Sequence, residues 1–254
     1  MKKLLFILVL FPLMVTSQNT QEGLILENVM LTANPEKIAE FEAGITAHNK
    51  KFHAEGPYGA RVYNILNGKN AGKYMLIMGP FTWSSIDGRP ASQEHTDDNN
   101  KNVSQYLTSE VEVNYMKMHP ELSSFSRDFE INQVSVFMID VKRFKERDFM
   151  EKVLQKVAKV YKEKMPDQIY GVYSNEMNNM DGMDFGWVEF FDGSSWLGKE
   201  DKFVQFFEEV HGTGSFAGFL ADVEATTDGD RTEIWSLRKD LSGPGAKVIS
   251  ATQQ

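Results

Sequence analysis

Five histidines carry the most versatile chemistry in this chain, because an imidazole near neutral pH can take a proton, pass one on or ligate a metal. They are His48, His53, His95, His119 and His211. His48 and His53 fall in one helical stretch, five residues apart, and so do not share a face well. The H-E-x-x-H pattern, in which two histidines four apart hold one ion, is absent. His119 precedes Pro120 at an expected strand end and reads as a surface residue. His95 and His211 hold similar places in the two halves of the chain, each after a third strand and in or just past a second helix. Each could contact a ligand, act as a general base or ligate iron between sheet and helices. The plainer reading is a polar residue at a helix end. His211 is followed by Gly212-Thr213-Gly214-Ser215. Glycines there allow close backbone approach, and their amides could cradle an anion. The run matches neither the Walker nor the dinucleotide pattern, so a loop between two helical pieces is expected.

The remaining chemistry is sparser. Trp83, Trp187, Trp196 and Trp235 lie in or beside expected strands, where core packing is their default role. Tyr173, Trp187 and Trp235 could join His211 in a pocket for an apolar or aromatic molecule, with His95 as the counterpart in the first half. Adjacent acids such as Asp97-Asp98 and Glu208-Glu209 diverge on a helix and read as solvated. Asn178, Asn179, Asp181 and Asp184 do not follow the calcium-loop spacing. With Met177, Met180 and Met183 they form a soft, exposed turn. The chain has no cysteine, which excludes disulfides, thiolate metal sites and a lipoprotein anchor. No G-x-S-x-G elbow occurs, so covalent catalysis has no visible nucleophile. The sequence thus assigns no catalytic residue, no metal ligand and no cofactor.

These residues need a scaffold, and the first residues do not belong to it. Lys2 and Lys3 precede an apolar run, Leu4 to Val15, followed by Thr16 and Ser17. That order marks a cleaved signal peptide over residues 1–17 with a mature start at Gln18. The run holds about a dozen apolar residues where a bilayer span needs roughly 20, and no later stretch is long enough. A periplasmic or secreted protein is expected, with no integral membrane segment after cleavage. The net charge of −9 and the absence of a basic stripe disfavour nucleic acid as a partner.

An internal repeat organises the rest. Val62-Tyr63 matches Val172-Tyr173, Gly72 matches Gly182, and Phe81 and Ser84-Ser85 match Phe191 and Ser194-Ser195, all at one offset. Two further blocks follow in the same order: Val103 to Leu107 with Phe216 to Leu220, and Met116 to Ser123 with Trp235 to Ser242. Strands are expected at Leu24–Leu31, Arg61–Leu66, Lys73–Met78 and Val111–Met118, then at Val134–Val141, Tyr170–Glu176, Phe185–Phe191 and Thr232–Leu237. Asn34-Pro35 reads as a helix start, followed by the stripe Ile38, Phe41, Ile45 and Phe52. Phe149, Val153, Val157 and Val160 form the equivalent stripe, which stops before Pro166. A second helix is clear around Phe203 to Val210 and weak around Ser92 to Leu107.

The order β-α-β-β-α-β, twice, implies an α+β fold of two tandem ferredoxin-like repeats packed sheet to sheet. The first repeat spans residues 18–124, the second 125–242, and a flexible tail 243–254. In this order of elements, over nearly all of the mature chain, the sequence resembles the dimeric α/β-barrel superfamily. That resemblance implies a pseudo-dimeric barrel and, for some members, cofactor-free or haem-dependent monooxygenase chemistry. No family motif matches residue by residue. The expectation is an exported protein that holds a small apolar or aromatic molecule between sheet and helices; the alternative is a monooxygenase-like enzyme.

Overall fold

The computed structural model describes residues 22–125, 129–177 and 182–245. The proposed leader and its cleavage site lie outside them, as do the tip of the Met-rich turn (178–181) and the tail from residue 246. Among the described residues no helix is long and apolar enough to cross a membrane.

Eight strands, β1 (Ile25–Ala33), β2 (Arg61–Ile65), β3 (Tyr74–Phe81), β4 (Leu107–Met118), β5 (Gln133–Val141), β6 (Tyr170–Asn175), β7 (Phe185–Phe191) and β8 (Thr227–Leu237), close into one barrel. Its order is β1-β3-β2-β8-β5-β7-β6-β4, with every pair antiparallel. The strands of each half are contiguous in this order. The halves meet at two short seams, β2 with β8 (Tyr63–Ile65 against Leu237–Trp235) and β4 with β6 (Met116–Met118 against Asn175–Tyr173). The two expected sheets therefore join edge to edge as well as facing across a lumen.

Alternation along the strands sorts side chains between lumen and helices. Tyr63, Ile65, Met75, Met116, Val134, Val136, Tyr173 and Trp235 form an inner core supplied by both halves. The outward residues of each half pack under its own helices. Leu31, Val62 and Tyr74 meet Phe41 and Ile45 of α1 (Ile38–Phe52). Tyr170, Val172, Phe185 and Trp187 meet Phe149, Val153, Val160, Phe207 and Phe219. These come from α4 (Glu146–Phe149), a π-helical turn (Met150–Leu154), α5 (Gln155–Lys164), α6 (Phe203–His211) and α7 (Ser215–Thr226).

The first half departs from expectation at two helix starts. Asn34-Pro35 does not cap α1. The Asn34 side chain accepts from the Glu36 amide at 3.0 Å in a local turn, and the helix begins at Ile38 after Lys37. An Asx turn competes with a cap for the same side-chain oxygen. The weak second helix expected around Ser92 to Leu107 is α3 (Gln93–Asn102) followed by a 3-10 turn (Ser104–Tyr106), and a short helix that the sequence reading lacks, α2 (Trp83–Asp87), precedes it. Ser92 caps α3 by accepting from the His95 amide at 3.1 Å. No residue of α3 is buried.

Candidate metal centre

Polar α3 is placed against α1 by a glycine. A β-carbon on Gly44 would lie 1.6 Å from the backbone oxygen of Asn102, so only glycine admits this approach. One turn beyond Gly44 stands His48, buried on α1. Facing it are His95 and Asp98 of α3. His53 is the residue at which α1 stops; its backbone has left the helix (φ −129°, ψ 36°). Its ring can therefore join a group that a helical residue five positions from His48 could not reach.

The three imidazoles converge through the same atom. His95 Nε2 lies 3.2 Å from His53 Nε2 and 3.2 Å from His48 Nε2. All three lie within 4.8 Å of one another. Two of the far nitrogens are held. His48 Nδ1 is 2.7 Å from Asp98 Oδ1, and His53 Nδ1 is 3.0 Å from the Tyr58 carbonyl oxygen. That carbonyl can only accept, so Nδ1 of His53 donates and its Nε2 presents a lone pair. The carboxylate assigns the same tautomer to neutral His48. Burial, helped by the neighbouring imidazoles and Arg89, pushes His53 down to about 4, and burial also lowers His95. Neutral imidazoles are what a metal requires. Asp98, itself held by Asn102 Nδ2 at 3.0 Å, stays ionised because His48 hydrogen-bonds it.

The two 3.2 Å separations suit a bare ion. Zinc at about 2.0–2.1 Å from each of three tetrahedral nitrogens sets those nitrogens about 3.3 Å apart. A ligating histidine whose other nitrogen is fixed by a carboxylate or carbonyl is the usual supporting arrangement. Three protein ligands leave a coordination position for water or substrate. His53 and His95 are half-buried, so the centre lies at the solvent boundary, beside Phe52, whose ring is 4.8 Å from that of His95.

The second half offers a different site. A cleft of about 790 Å³ lies between its sheet and helices, lined by Tyr161, Trp187, Glu189, Phe203 and Phe206 among others. Tyr161 donates a hydrogen bond to Glu189, whose carboxyl is pushed up by burial. Trp187 stacks on Tyr170, ring centres 4.4 Å apart.

The five residues singled out from the sequence are distributed over several places. Trp187 lines the cleft. Tyr173 and Trp235 point into the barrel lumen, because strand alternation puts them on the other face. His211 ends α6, its Nε2 donating to the Lys156 carbonyl at 3.1 Å and its ring against Phe207. His95 belongs to the three-histidine centre. His48, His53 and Asp98 join it there, and in the sequence their spacing along a helix counts against all three.

Haem does not fit these residues. Its macrocycle fills four positions on iron and leaves protein ligands only on the axis. Three imidazoles converging on one point cannot be arranged so. In the second-half cleft no histidine lines the wall, and the nearby His211 has committed its Nε2 to a carbonyl.

No family model and no curated protein matches the sequence. Solved structures do share its fold. A candidate monooxygenase from Fusobacterium nucleatum superposes with a TM-score of 0.56 at 11% identity, over 85% of this chain and 93% of that one. One from Lactobacillus acidophilus gives 0.53 at 13% identity, over 90% and 100%. A mutant chlorite dismutase from Candidatus Nitrospira defluvii gives 0.54 at 9% identity, over 87% and 95%. These proteins belong to the dimeric α/β-barrel superfamily, and the likeness is one of fold.

Proposed function

We propose that this chain is a metal-dependent enzyme built on a dimeric α/β barrel, with one first-row transition ion held by His48, His53 and His95. The convergence of three Nε2 atoms carries the reading, since Asp98 and the Tyr58 carbonyl hold two of the rings with Nε2 turned to the third. Imidazole donors suit zinc, copper, nickel and iron. Held by these three residues, zinc would supply Lewis-acid chemistry and a redox-active ion would supply oxidative chemistry. The oxidative version is supported by the monooxygenases that share the barrel. The leader supports export to the periplasm or beyond, and the matched element order of the halves supports descent from one duplicated ferredoxin-like unit.

Elemental analysis of protein purified without chelator tests the reading. About one ion per chain is expected, and His95→Ala should lose it while keeping its circular dichroism. A wild-type chain that takes up no zinc, copper, nickel or iron at micromolar concentration sinks the proposal.

A second reading, a carrier for a small apolar or aromatic molecule, is favoured by the size and aromatic walls of the second-half cleft. Its test is mass spectrometry of organic extracts of the purified protein, with Trp187→Ala expected to release what wild type retains. Extracts of wild type free of any organic molecule would remove this reading.

A further inference from the structure

The barrel lumen holds a buried cation that makes no ion pair among the described residues. Arg61 opens β2 with its side chain inward and is only 6% exposed. Its Nη2 donates to the Gly79 carbonyl at 3.0 Å, and the phenol of Tyr63 lies beside it. Tyr173 lies near enough to feel the same charge. Among the described residues no carboxylate reaches Arg61 within ion-pair distance. A guanidinium does not give up its proton, so this charge must be met by something else.

The cavity that Arg61 lines has a volume of about 90 Å³. Its walls are otherwise apolar, contributed by both halves, with Met116, Met183, Val136 and Trp235 among them. Asn28 stands on the same cavity, the one amide side chain on its wall. The Tyr173 ring is admitted here by a glycine, because a β-carbon on Gly171 would lie 2.5 Å from its hydroxyl.

We propose that the lumen is a binding site for a short-chain monocarboxylate. Its carboxylate meets Arg61 and the Tyr63 and Tyr173 hydroxyls, and its alkyl chain lies among the methionines. Charge sets the head group, since only an anion offsets Arg61, and a carboxylate matches the fork of a guanidinium. Volume sets the size. At about 30 Å³ per water, the cavity holds the equivalent of roughly three waters, which suits a ligand the size of acetate and excludes a fatty acid. Methionine walls adapt to small differences in chain length. The site is independent of the three-histidine centre and stands if that reading fails.

Calorimetric titration of the full chain with sodium acetate, against sodium chloride at equal ionic strength, tests the proposal. Saturable one-to-one binding of acetate is expected, with no matching heat from chloride and with a change in Trp235 fluorescence. Arg61→Met should weaken acetate at least tenfold. Tyr63→Phe, which keeps the ring and removes one donor, should weaken it several-fold, and it decides the matter if Arg61→Met does not fold. Absence of saturable binding to wild type, equal binding by chloride, or unchanged affinity in a folded Arg61→Met or Tyr63→Phe variant overturns it.

Discussion

Asp98 touches no reacting atom, yet it decides what His48 can do. Its carboxylate accepts the Nδ1 proton at 2.7 Å, which orients the ring and leaves Nε2 bare. Removing such a supporting carboxylate weakens metal binding by about 10–100-fold in comparable sites. Asp98→Asn should therefore lower zinc affinity by that order in competition with a chromogenic chelator, while Asp97→Asn leaves it unchanged. Asp97 accepts only from Gln93 on its own helix, at 2.8 Å. Equal affinities for the two variants would show that the carboxylate at His48 is incidental.

At the scale of elements, the centre depends on how closely α3 can lie against α1. Gly44 sets that distance, and the 1.6 Å approach of Asn102 O to a β-carbon there leaves no room for alanine. Gly44→Ala should destabilise by about 1–3 kcal/mol, the usual cost of overpacking, and should separate His95 from His48. Gly218 in α7 is the control: a β-carbon there meets nothing within 4 Å. Its change to alanine should be neutral or stabilising by up to about 1 kcal/mol. Thermal melts and zinc titrations of both variants check the pair. Loss of stability without loss of metal in Gly44→Ala would uncouple the helix contact from the centre.

The end of the chain braces the same helix. Arg238 holds Glu42 of α1 through two bonds, 2.7 and 3.0 Å, and Asn49 donates to the Leu241 carbonyl at 2.8 Å. Ser242 to Gly245 continue this contact although the sequence predicts a flexible tail from residue 243, with the Gly243 and Gly245 amides bonded to Ala60 and Ala54 carbonyls. Arg238 keeps the Glu42 carboxyl below its ordinary value. A carboxyl depressed in the folded state stabilises above its unfolded value, and that contribution fades as pH falls through the folded value. Glu42→Gln should thus be less stable than wild type in urea at pH 7, with the gap narrowing below pH 4. A gap that stays constant with pH would mean the loss is one of packing.

For the whole molecule the shared lumen matters most. Tyr63, Ile65 and Met75 from one half bury themselves against Val134, Met138 and Trp235 from the other. Neither half can cover that face alone, since exposed apolar patches of this size are rare in stable monomers. Residues 22–124 and 125–245 expressed separately should each aggregate or self-associate, and co-expression should restore a one-to-one complex in analytical ultracentrifugation. A soluble, folded, monomeric half would contradict the shared core.

The sequence alone determined the kinds and order of elements, because period-2 and helical stripes are local and are written in residues such as Phe149, Val153 and Val160. Pro166 and the β-branched strands likewise act on their own neighbourhoods. It also placed Tyr173, Trp187 and Trp235 on strands, but the single pocket expected of them was divided by strand alternation, which sent Trp187 to the cleft and the other two to the lumen. Tertiary structure decided the centre. His48 and His95 are 47 positions apart in the chain, and their meeting depends on the packing of α1 on α3, which no local pattern encodes. His53 looked misplaced because a five-residue spacing fails on a helix, yet the helix ends one residue before it. The polar run on α3 read as solvated, which is true of Asp97 and untrue of Asp98, because only packing distinguishes two adjacent carboxylates. Arg61 is ordinary as a letter in a strand; closure of the barrel around it turns it into a buried charge.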